Sequence, residues 1–158
     1  MAAPTPTARG TPAGIKLEDG YQTLITFASH PTIKFWEKTV KPPGLDGGDG
    51  IDTTTMHNVT YRTFDTKHLK TLTESVLTGP YDPDVFTTLV AQININQACT
   101  TKFPDGSTLT YYGAITKAEI GEHKEGELPE MTITIKPTNW DPTGFVEAAP
   151  VFTAATGT

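Results

Sequence analysis

Residues 81–96, YDPDVFTTLVAQININ, are predicted to form the one amphipathic helix of this chain, over about residues 83–94. Asp82 can cap the helix by accepting a hydrogen bond from a first-turn N–H, and Pro83 sits where its missing N–H costs nothing. Thr87, Thr88 and Gln92 are expected to face away from the core. Four apolar side chains fall at i, i+3, i+4 and i+7 and form the stripe expected to be buried: Phe86, Leu89, Val90 and Ile93.

The rest of the body is predicted to form six or seven short strands. Threonine accounts for 30 of the 158 residues, and its branched, polar side chain suits strands that keep one face in water or at a wet interface. Residues 21–28 and 33–40 are predicted to pair as a hairpin. Pro104, Asp105 and Gly106 indicate a second hairpin, between residues 97–103 and 107–115. Further strands are predicted at residues 72–77, 117–121 and 131–136.

Composition divides the chain into three parts. Residues 1–14 are rich in Pro, Thr, Ala and Gly and are predicted to form a flexible N-terminal arm. Residues 15–140 form the β domain, in which residues 41–72 make a long loop that begins with KPPGLDGGDG. Loops of this length in a domain are usually functional or form interfaces. Residues 141–158 form a C-terminal tail with four apolar residues that could dock on this or a neighbouring subunit: Phe145, Val146, Val151 and Phe152.

The bulk charge and the single cysteine exclude several classes of protein. A net charge of −6 argues against tight nucleic-acid binding, which needs Lys and Arg clusters. Cys99 alone cannot form an internal disulfide, so a reducing site of synthesis is allowed. No apolar run approaches the roughly 20 residues of a membrane helix, and the N-terminus has no apolar signal core.

No arrangement of residues indicates catalysis, a cofactor or a metal centre. The four histidines match neither HExxH nor zinc-ligand spacing, and the three serines lie outside GxSxG. Asp46, Asp49 and Asp52 could be calcium ligands, but their spacing differs from the EF-hand loop. Five glutamates between residues 119 and 130 indicate a solvated turn, or else a face that meets the basic residues Lys34, Lys38 and Lys41 of another copy.

Several segments, in this order and over about residues 20–142, resemble the major tail tube proteins of long-tailed, siphovirus-type bacteriophages. These segments are PPGLDGGDGIDTTTMHN, YRTF, YDPDVFTTLVAQIN, KFPDGSTLTYYG and GELPEMTITIKPTNWD. The resemblance implies a mainly β fold of two packed, roughly orthogonal antiparallel sheets with one flanking helix. It implies a non-catalytic structural protomer of the virion tail, made in the host cytoplasm and assembled into stacked hexameric rings.

The resemblance also implies how the subunit works and what it meets. About four strands per copy would line a channel through which DNA passes during ejection without specific binding, and a tape-measure protein and a tail terminator would be its partners. The long loop would bridge adjacent rings. The residues expected to make that contact are Leu45, Asp46, Asp49, Ile51, Asp52, Thr54 and Met56.

Three alternatives remain at this stage. The inner tube of a type VI secretion or contractile injection system shares the implied fold, as does a head–tail terminator ring. A β-sandwich module that binds carbohydrate or a cell surface belongs to another class. Its aromatic stacking platform would consist of Trp36, Tyr111, Tyr112 and Trp140.

Overall fold

The computed structural model describes residues 23–33 and 35–155. The predicted N-terminal arm, residues 1–14, and Lys34 lie outside the described residues. The described part contains thirteen strands and one helix, α1 (Pro83–Ala91). The strands are β1 (Leu24–Phe27), β2 (Thr39–Lys41), β3 (Leu45–Asp46), β4 (Ile51–Asp52), β5 (Phe64–Asp65), β6 (Thr71–Leu72), β7 (Ser75–Pro80), β8 (Gln97–Lys102), β9 (Thr108–Ile120), β10 (Glu130–Pro137), β11 (Trp140–Asp141), β12 (Val146–Glu147) and β13 (Val151–Thr153).

Seven strands form one antiparallel sheet in the order β1-β8-β9-β10-β7-β2, with β13 also paired to β9. The long strand β9 belongs to two layers of this sheet. Its first half pairs with β8 and β13, and residues 113–120 pair with β10. A bulge between Thr134 and Ile135 marks the change of register along β10, and bulges bend a strand and increase its twist. The sheet therefore curls, and the predicted mainly β fold with packed antiparallel layers and one helix is confirmed.

The two layers and the helix bury one common hydrophobic core. Strands β1, β8 and the first half of β9 contribute one set of side chains, whereas β7 and β10 contribute the facing set. The core residues are Ile25, Phe27, Phe35, Leu72, Leu77, Leu89, Cys99, Tyr111, Ile115, Met131, Ile133 and Ile135. Alternation along β7 and β10 places every second side chain in this core and leaves the others on the opposite face.

Helix α1 begins as the sequence predicts and ends earlier. The Asp82 carboxylate accepts a hydrogen bond from the Asp84 backbone N–H at 3.0 Å, and Pro83 is the first helical residue. The helix ends at Ala91 rather than near residue 94. Asn94 adopts φ of +64°, and its N–H donates to the Ile115 carbonyl at 3.0 Å. The chain leaves the helix at this point because it joins β9 through this contact.

The residues of α1 that reach the core differ from the predicted stripe. Leu89 is 1% exposed, and Phe86 and Ile93 are partly buried against the core. Val90 is 43% exposed, contrary to the prediction, and Val85 packs against the core instead. The buried face of the helix is rotated relative to the predicted stripe: it centres on Leu89 and extends towards Val85 and Gln92, which leaves Val90 at its exposed edge.

Gln92, expected to face solvent, is buried in a polar cluster behind the helix. Its Oε1 accepts a hydrogen bond from the Ser29 hydroxyl at 2.8 Å, and the Gln97 Oε1 accepts one from the Ser29 N–H at 3.1 Å. Buried amides need such partners because an unpaired polar group in a core is costly. The cluster joins the turn after β1 to the start of β8.

One predicted hairpin is wrong and the other is confirmed. Strand β1 pairs with β8, and β2 pairs with β7, so residues 21–28 and 33–40 do not form a hairpin. The Glu37 carboxylate accepts a hydrogen bond from the Ile25 N–H at 2.9 Å, on the edge of β1 where a paired strand would lie. The β8–β9 hairpin turns at residues 104–106, as predicted, with Gly106 at φ of +88°.

Candidate functional site

The predicted long loop is a protruding β-hairpin, which we call the arm (residues 42–74). Leu45 pairs with Leu72 at its base and Ile51 pairs with Asp65 further out, so β3, β4, β5 and β6 form two legs, with a one-residue shift of register between the two pairs of strands. A further hydrogen bond joins the Thr53 N–H to the Thr63 carbonyl at 2.9 Å. Apart from Leu72 and Asn58, every side chain of residues 44–72 is exposed.

Hydrogen bonds fix both ends of the arm. At the base, the buried Ser75 hydroxyl donates to the Lys41 carbonyl at 2.9 Å, and the Gly44 N–H donates to the Thr73 hydroxyl at 2.8 Å. At the tip, the Asn58 side chain accepts from the Thr55 N–H at 2.8 Å and donates to the Tyr61 carbonyl at 3.0 Å. The arm is therefore an ordered structure, although the sequence indicated an irregular excursion.

Two of the three aspartates of the outgoing leg support turns. Asp46 accepts a hydrogen bond from the Gly48 N–H at 2.8 Å, and Asp52 accepts one from the Thr54 N–H at 2.9 Å. Hydrogen bonds from the side chain and backbone of Thr54 lower the pKa of Asp52 below its ordinary value. Such local bonds compete with strand pairing and shape loops. Within residues 23–33 and 35–155, no group of three or more His, Cys, Asp or Glu side chains is placed to hold a metal ion.

The arm displays apolar side chains on both legs. Of the residues predicted to make contacts, Leu45, Ile51 and the fully exposed Met56 carry the apolar surface of the outgoing leg. Sequence reasoning missed the returning leg, whose exposed apolar residues are Val59, Tyr61, Phe64 and Leu69. A signal was present, since YRTFDTKHL places aromatic and aliphatic residues in a segment with no core-forming pattern. A set of exposed apolar side chains on one projection is typical of an interaction surface.

A second exposed apolar surface lies near the C-terminus, and we call it the C-terminal strip (residues 145–152). Strand β12 pairs with β11 in a small hairpin, and β13 pairs with β9. Its exposed side chains are Phe145, Val146, Val151 and Phe152. Phe145 is 75% exposed and adopts φ of +52°, a conformation that is strained for a bulky side chain.

A groove of about 1510 Å³ lies between β1, residues 35–40 and the turn at residues 103–106. Glu37 lies in this groove, where burial raises the pKa of its carboxyl above the ordinary 4.5, although a hydrogen bond from the Ile25 N–H acts in the opposite direction. Lys38 and Lys102 also line the groove. Of these charged residues, Glu37 holds the edge of β1 through its hydrogen bond from the Ile25 N–H, and Lys38 forms an ion pair with Glu130.

The other polar residues considered in the sequence analysis lie apart from one another, and each has a structural role in the fold. His123 packs edge-on against Tyr81, with ring centroids 5.6 Å apart. Burial raises the pKa of the Cys99 thiol to about 12, which leaves it protonated and unreactive. Lys38, expected to meet glutamates of another copy, forms an ion pair with Glu130 of its own chain.

The four aromatic residues of the alternative glycan platform do not share one surface. Tyr111 is buried in the core, whereas Trp36 and Trp140 are exposed. A stacking platform needs exposed ring faces, so the platform as predicted is wrong at Tyr111. The one helix in the described part is too short and too polar to span a membrane.

No protein-family model matches this chain, and no curated protein has a similar sequence. Solved structures do share its fold. A chain in the tail of an empty gene transfer agent particle, refined with C6 symmetry, has a TM-score of 0.63 at 14% identity, over 87% of this chain and 99% of that chain. A chain of the native gene transfer agent virion has a TM-score of 0.60 at 12% identity, over the same shares of the two chains.

A chain of the anti-feeding prophage baseplate, 6-fold symmetrised, has a TM-score of 0.58 at 9% identity, over 84% of this chain and 91% of that chain. At these low identities the similarity shows a common fold. The fold of this chain is thus the fold of chains found in virion tails and in a prophage baseplate.

Proposed function

We propose that this chain is the non-catalytic structural protomer of a phage tail tube of the siphovirus type. The observation that carries the proposal is a four-stranded layer, β9-β10-β7-β2, with an open edge at each end. Among the described residues, no strand pairs with Thr116–Ile120 on the side away from β10, or with the outer side of β2. Pairing of such edges between copies closes a ring and removes the exposed edges.

The face of this layer that points away from the core is suited to a wet channel. Register places Thr39, Thr78 and Thr132 in one row across β2, β7 and β10, and Glu119 continues that row on β9. A parallel row contains Lys41, Val76, Thr134 and Lys117. The lysines of this face lie among threonines, with Glu119 beside Lys117, so they form no continuous basic track for phosphates and DNA would pass without specific binding.

Six copies of the layer close to a channel of the right size. Twenty-four strands at about 4.8 Å spacing and about 40° tilt give a backbone diameter near 50 Å. About 5 Å of side chain on each wall leaves near 40 Å, which admits duplex DNA. The C6 symmetry of the gene transfer agent tail, whose chain shares this fold, supports hexameric rings here.

In this proposal the arm joins stacked rings in the virion tail. Its apolar side chains are exposed in the single chain, and contacts between rings would cover them. A tape-measure protein and a tail terminator are the expected further partners, as they set the length and the end of a tube.

The inner tube of a contractile injection system is the second candidate, and the similarity to the prophage baseplate chain favours it. A head–tail terminator forms a single ring, so the length of the assembly separates it from both tubes. The carbohydrate-binding alternative loses its basis because Tyr111 is buried.

Electron microscopy and native mass spectrometry of the purified protein test the proposal. We expect rings or tubes with an open channel about 40 Å wide and masses that are multiples of six subunits. Replacing both Thr116 and Ala118, on the open edge of β9, with proline should reduce assembly. Circular dichroism of the same variant shows whether it still folds. Protein that stays monomeric at high concentration and with initiation partners would contradict the proposal.

A further inference from the structure

Strand β1 is a third edge of the sheet, in addition to the two edges that the proposed ring uses. It is the last strand of the order β1-β8-β9, and no strand within residues 23–33 and 35–155 pairs with its outer side. The Ala28 N–H donates to the Ala98 carbonyl at 3.0 Å, next to β8. Because backbone groups alternate sides along a strand, the N–H and C=O groups of Ile25 and Phe27 point away from β8, to the side on which another strand would add.

The composition of β1 suits pairing with a copy of itself. Residues 20–33 contain no Asp, Glu, Lys or Arg, whereas β2 contains Lys41 and the open edge of β9 contains Lys117 and Glu119. An uncharged edge of β-branched and aromatic residues invites association, and proteins commonly protect such edges with a charged side chain. Strand β1 has no charged side chain of its own.

Glu37 brings a charge to this edge from another segment of the chain. Its carboxylate accepts a hydrogen bond from the outward Ile25 N–H at 2.9 Å, where the carbonyl of an added strand would bind. The outward Phe27 carbonyl accepts a hydrogen bond from the His30 N–H at 3.2 Å. Two of the four outward backbone groups are thus already bonded within the chain.

The segment that carries Glu37 is fixed to β7. The Lys38 N–H donates to the Thr78 carbonyl at 2.7 Å. A Cβ on Gly79 would clash with the Trp36 carbonyl oxygen, so the backbone beside Glu37 packs directly on β7. A strand that added to β1 would have to displace this anchored carboxylate or bury it, and a carboxylate buried without a partner is costly.

From these observations we propose that Glu37 determines which edges of the sheet assemble, because it prevents β1 of one copy from pairing with β1 of a second copy. Copies then join through the edges of β9 and β2. The inference rests on the proposed function for the role of those two edges, whereas the protection of β1 is measured without any ring.

A disulfide at Thr26 detects pairing of β1 with β1. In that antiparallel pair, Ile25 of one copy would bond to Phe27 of the other. The two Thr26 residues would then lie opposite each other with Cα atoms about 4.5 Å apart, a separation that a disulfide can span. The Thr26 side chain is exposed, whereas the native Cys99 is buried. Thr26→Cys is therefore combined with Glu37, Glu37→Ala or Glu37→Gln and treated with oxidised glutathione.

We expect about tenfold more disulfide-linked dimer with Glu37→Ala than with Glu37, because a hydrogen bond to a charged group is lost. Glu37→Gln keeps an acceptor for the Ile25 N–H but loses the charge, so its yield should lie between the two. The matched control, Thr87→Cys with Glu37→Ala, has its cysteine on the exposed side of α1. It should give no more dimer than Thr87→Cys alone. Circular dichroism shows whether each variant is folded.

Equal yields of the Thr26→Cys dimer in all three backgrounds, measured on folded protein, would overturn the inference and leave the proposed function standing. If Glu37→Ala does not fold, the comparison of Glu37→Gln with Glu37 decides: more dimer supports the inference, and equal dimer overturns it. Wild-type protein that forms no rings would overturn the proposed function and with it the role of the β9 and β2 edges. The Thr26→Cys yields would still decide whether Glu37 protects β1.

Discussion

The β-sheet core and the arm are both built from antiparallel strands, and they are stabilised in opposite ways. In the core, β7 and β10 bury every second side chain, including Leu77 and Ile133. In the arm, the strands pair in two short ladders, and apart from Asn58 the side chains from Gly44 stay exposed until Leu72 returns to the core. The core folds by burial of apolar surface, whereas the arm is shaped by local hydrogen bonds and leaves its apolar side chains exposed.

The sharpest test of this contrast is a pair of leucine substitutions. Leu89 on α1 is 1% exposed, and Leu89→Ala should lower the free energy of unfolding by about 2–5 kcal/mol, because it removes buried methyl groups and leaves a cavity. Leu69→Ala on the exposed returning leg is the matched control and should change it by less than about 0.5 kcal/mol. Urea denaturation followed by circular dichroism measures both. Equal losses would show that the arm takes part in the folded core.

A smaller effect is expected at the start of α1. Asp82→Ala removes the acceptor for the Asp84 N–H and should cost about 0.5–2 kcal/mol of stability. Asp82→Asn keeps a capping oxygen and should retain most of the stability. Thermal unfolding of the two variants measures the difference, and an unchanged Asp82→Ala protein would show that the cap contributes nothing here.

The local signals in the sequence predicted local structure well. The aspartate–proline pair marked the start of α1, and the Pro104–Asp105–Gly106 turn marked the β8–β9 hairpin, because each depends on a few neighbouring residues. The end of the helix was set by a contact between Asn94 and Ile115. Their separation along the chain is too large for a helical pattern to reveal it.

Long-range pairing explains the larger errors. Residues 21–28 and 33–40 looked like hairpin neighbours, but their partners, β8 and β7, lie far away in the sequence. The arm was predicted as a long loop from its unusual composition, and the residues predicted to make contacts all lie on its outgoing leg. Its returning leg was missed, since only the register of β3 with β6 and of β4 with β5 shows that Phe64 and Leu69 lie on the same projection.

Glu37 gives a still smaller and pH-dependent effect. Burial raises the pKa of its carboxyl in the folded protein above the ordinary 4.5, so the folded state holds the proton more tightly than the unfolded state. This contribution to stability is fully present below pH 4.5 and is lost as the pH rises through the folded pKa. Two hydrogen bonds oppose the burial, and we therefore expect a shallow decline in the free energy of unfolding.

Glu37→Gln tests this, because glutamine does not titrate and still offers an oxygen to the Ile25 N–H. Its unfolding free energy, measured by urea denaturation between about pH 4 and 7, should decline less steeply with pH than that of the wild type. Glu37→Ala also loses the acceptor and should be less stable than Glu37→Gln throughout. A steeper decline in Glu37→Gln than in the wild type would mean that folding lowers the pKa of Glu37 instead of raising it.

The smallest change in stability is expected from the largest change in sequence. Replacing residues 46–71 with an Asn-Gly turn joins Leu45 to Leu72, which the register already holds opposite each other. The midpoint of thermal unfolding should stay close to that of the wild type, because the deleted side chains are almost all exposed. Tube length in electron micrographs should fall steeply. If unfolding shifts strongly while tubes keep their length, the arm serves the core rather than assembly, since its apolar residues would then stabilise the monomer and be dispensable between copies.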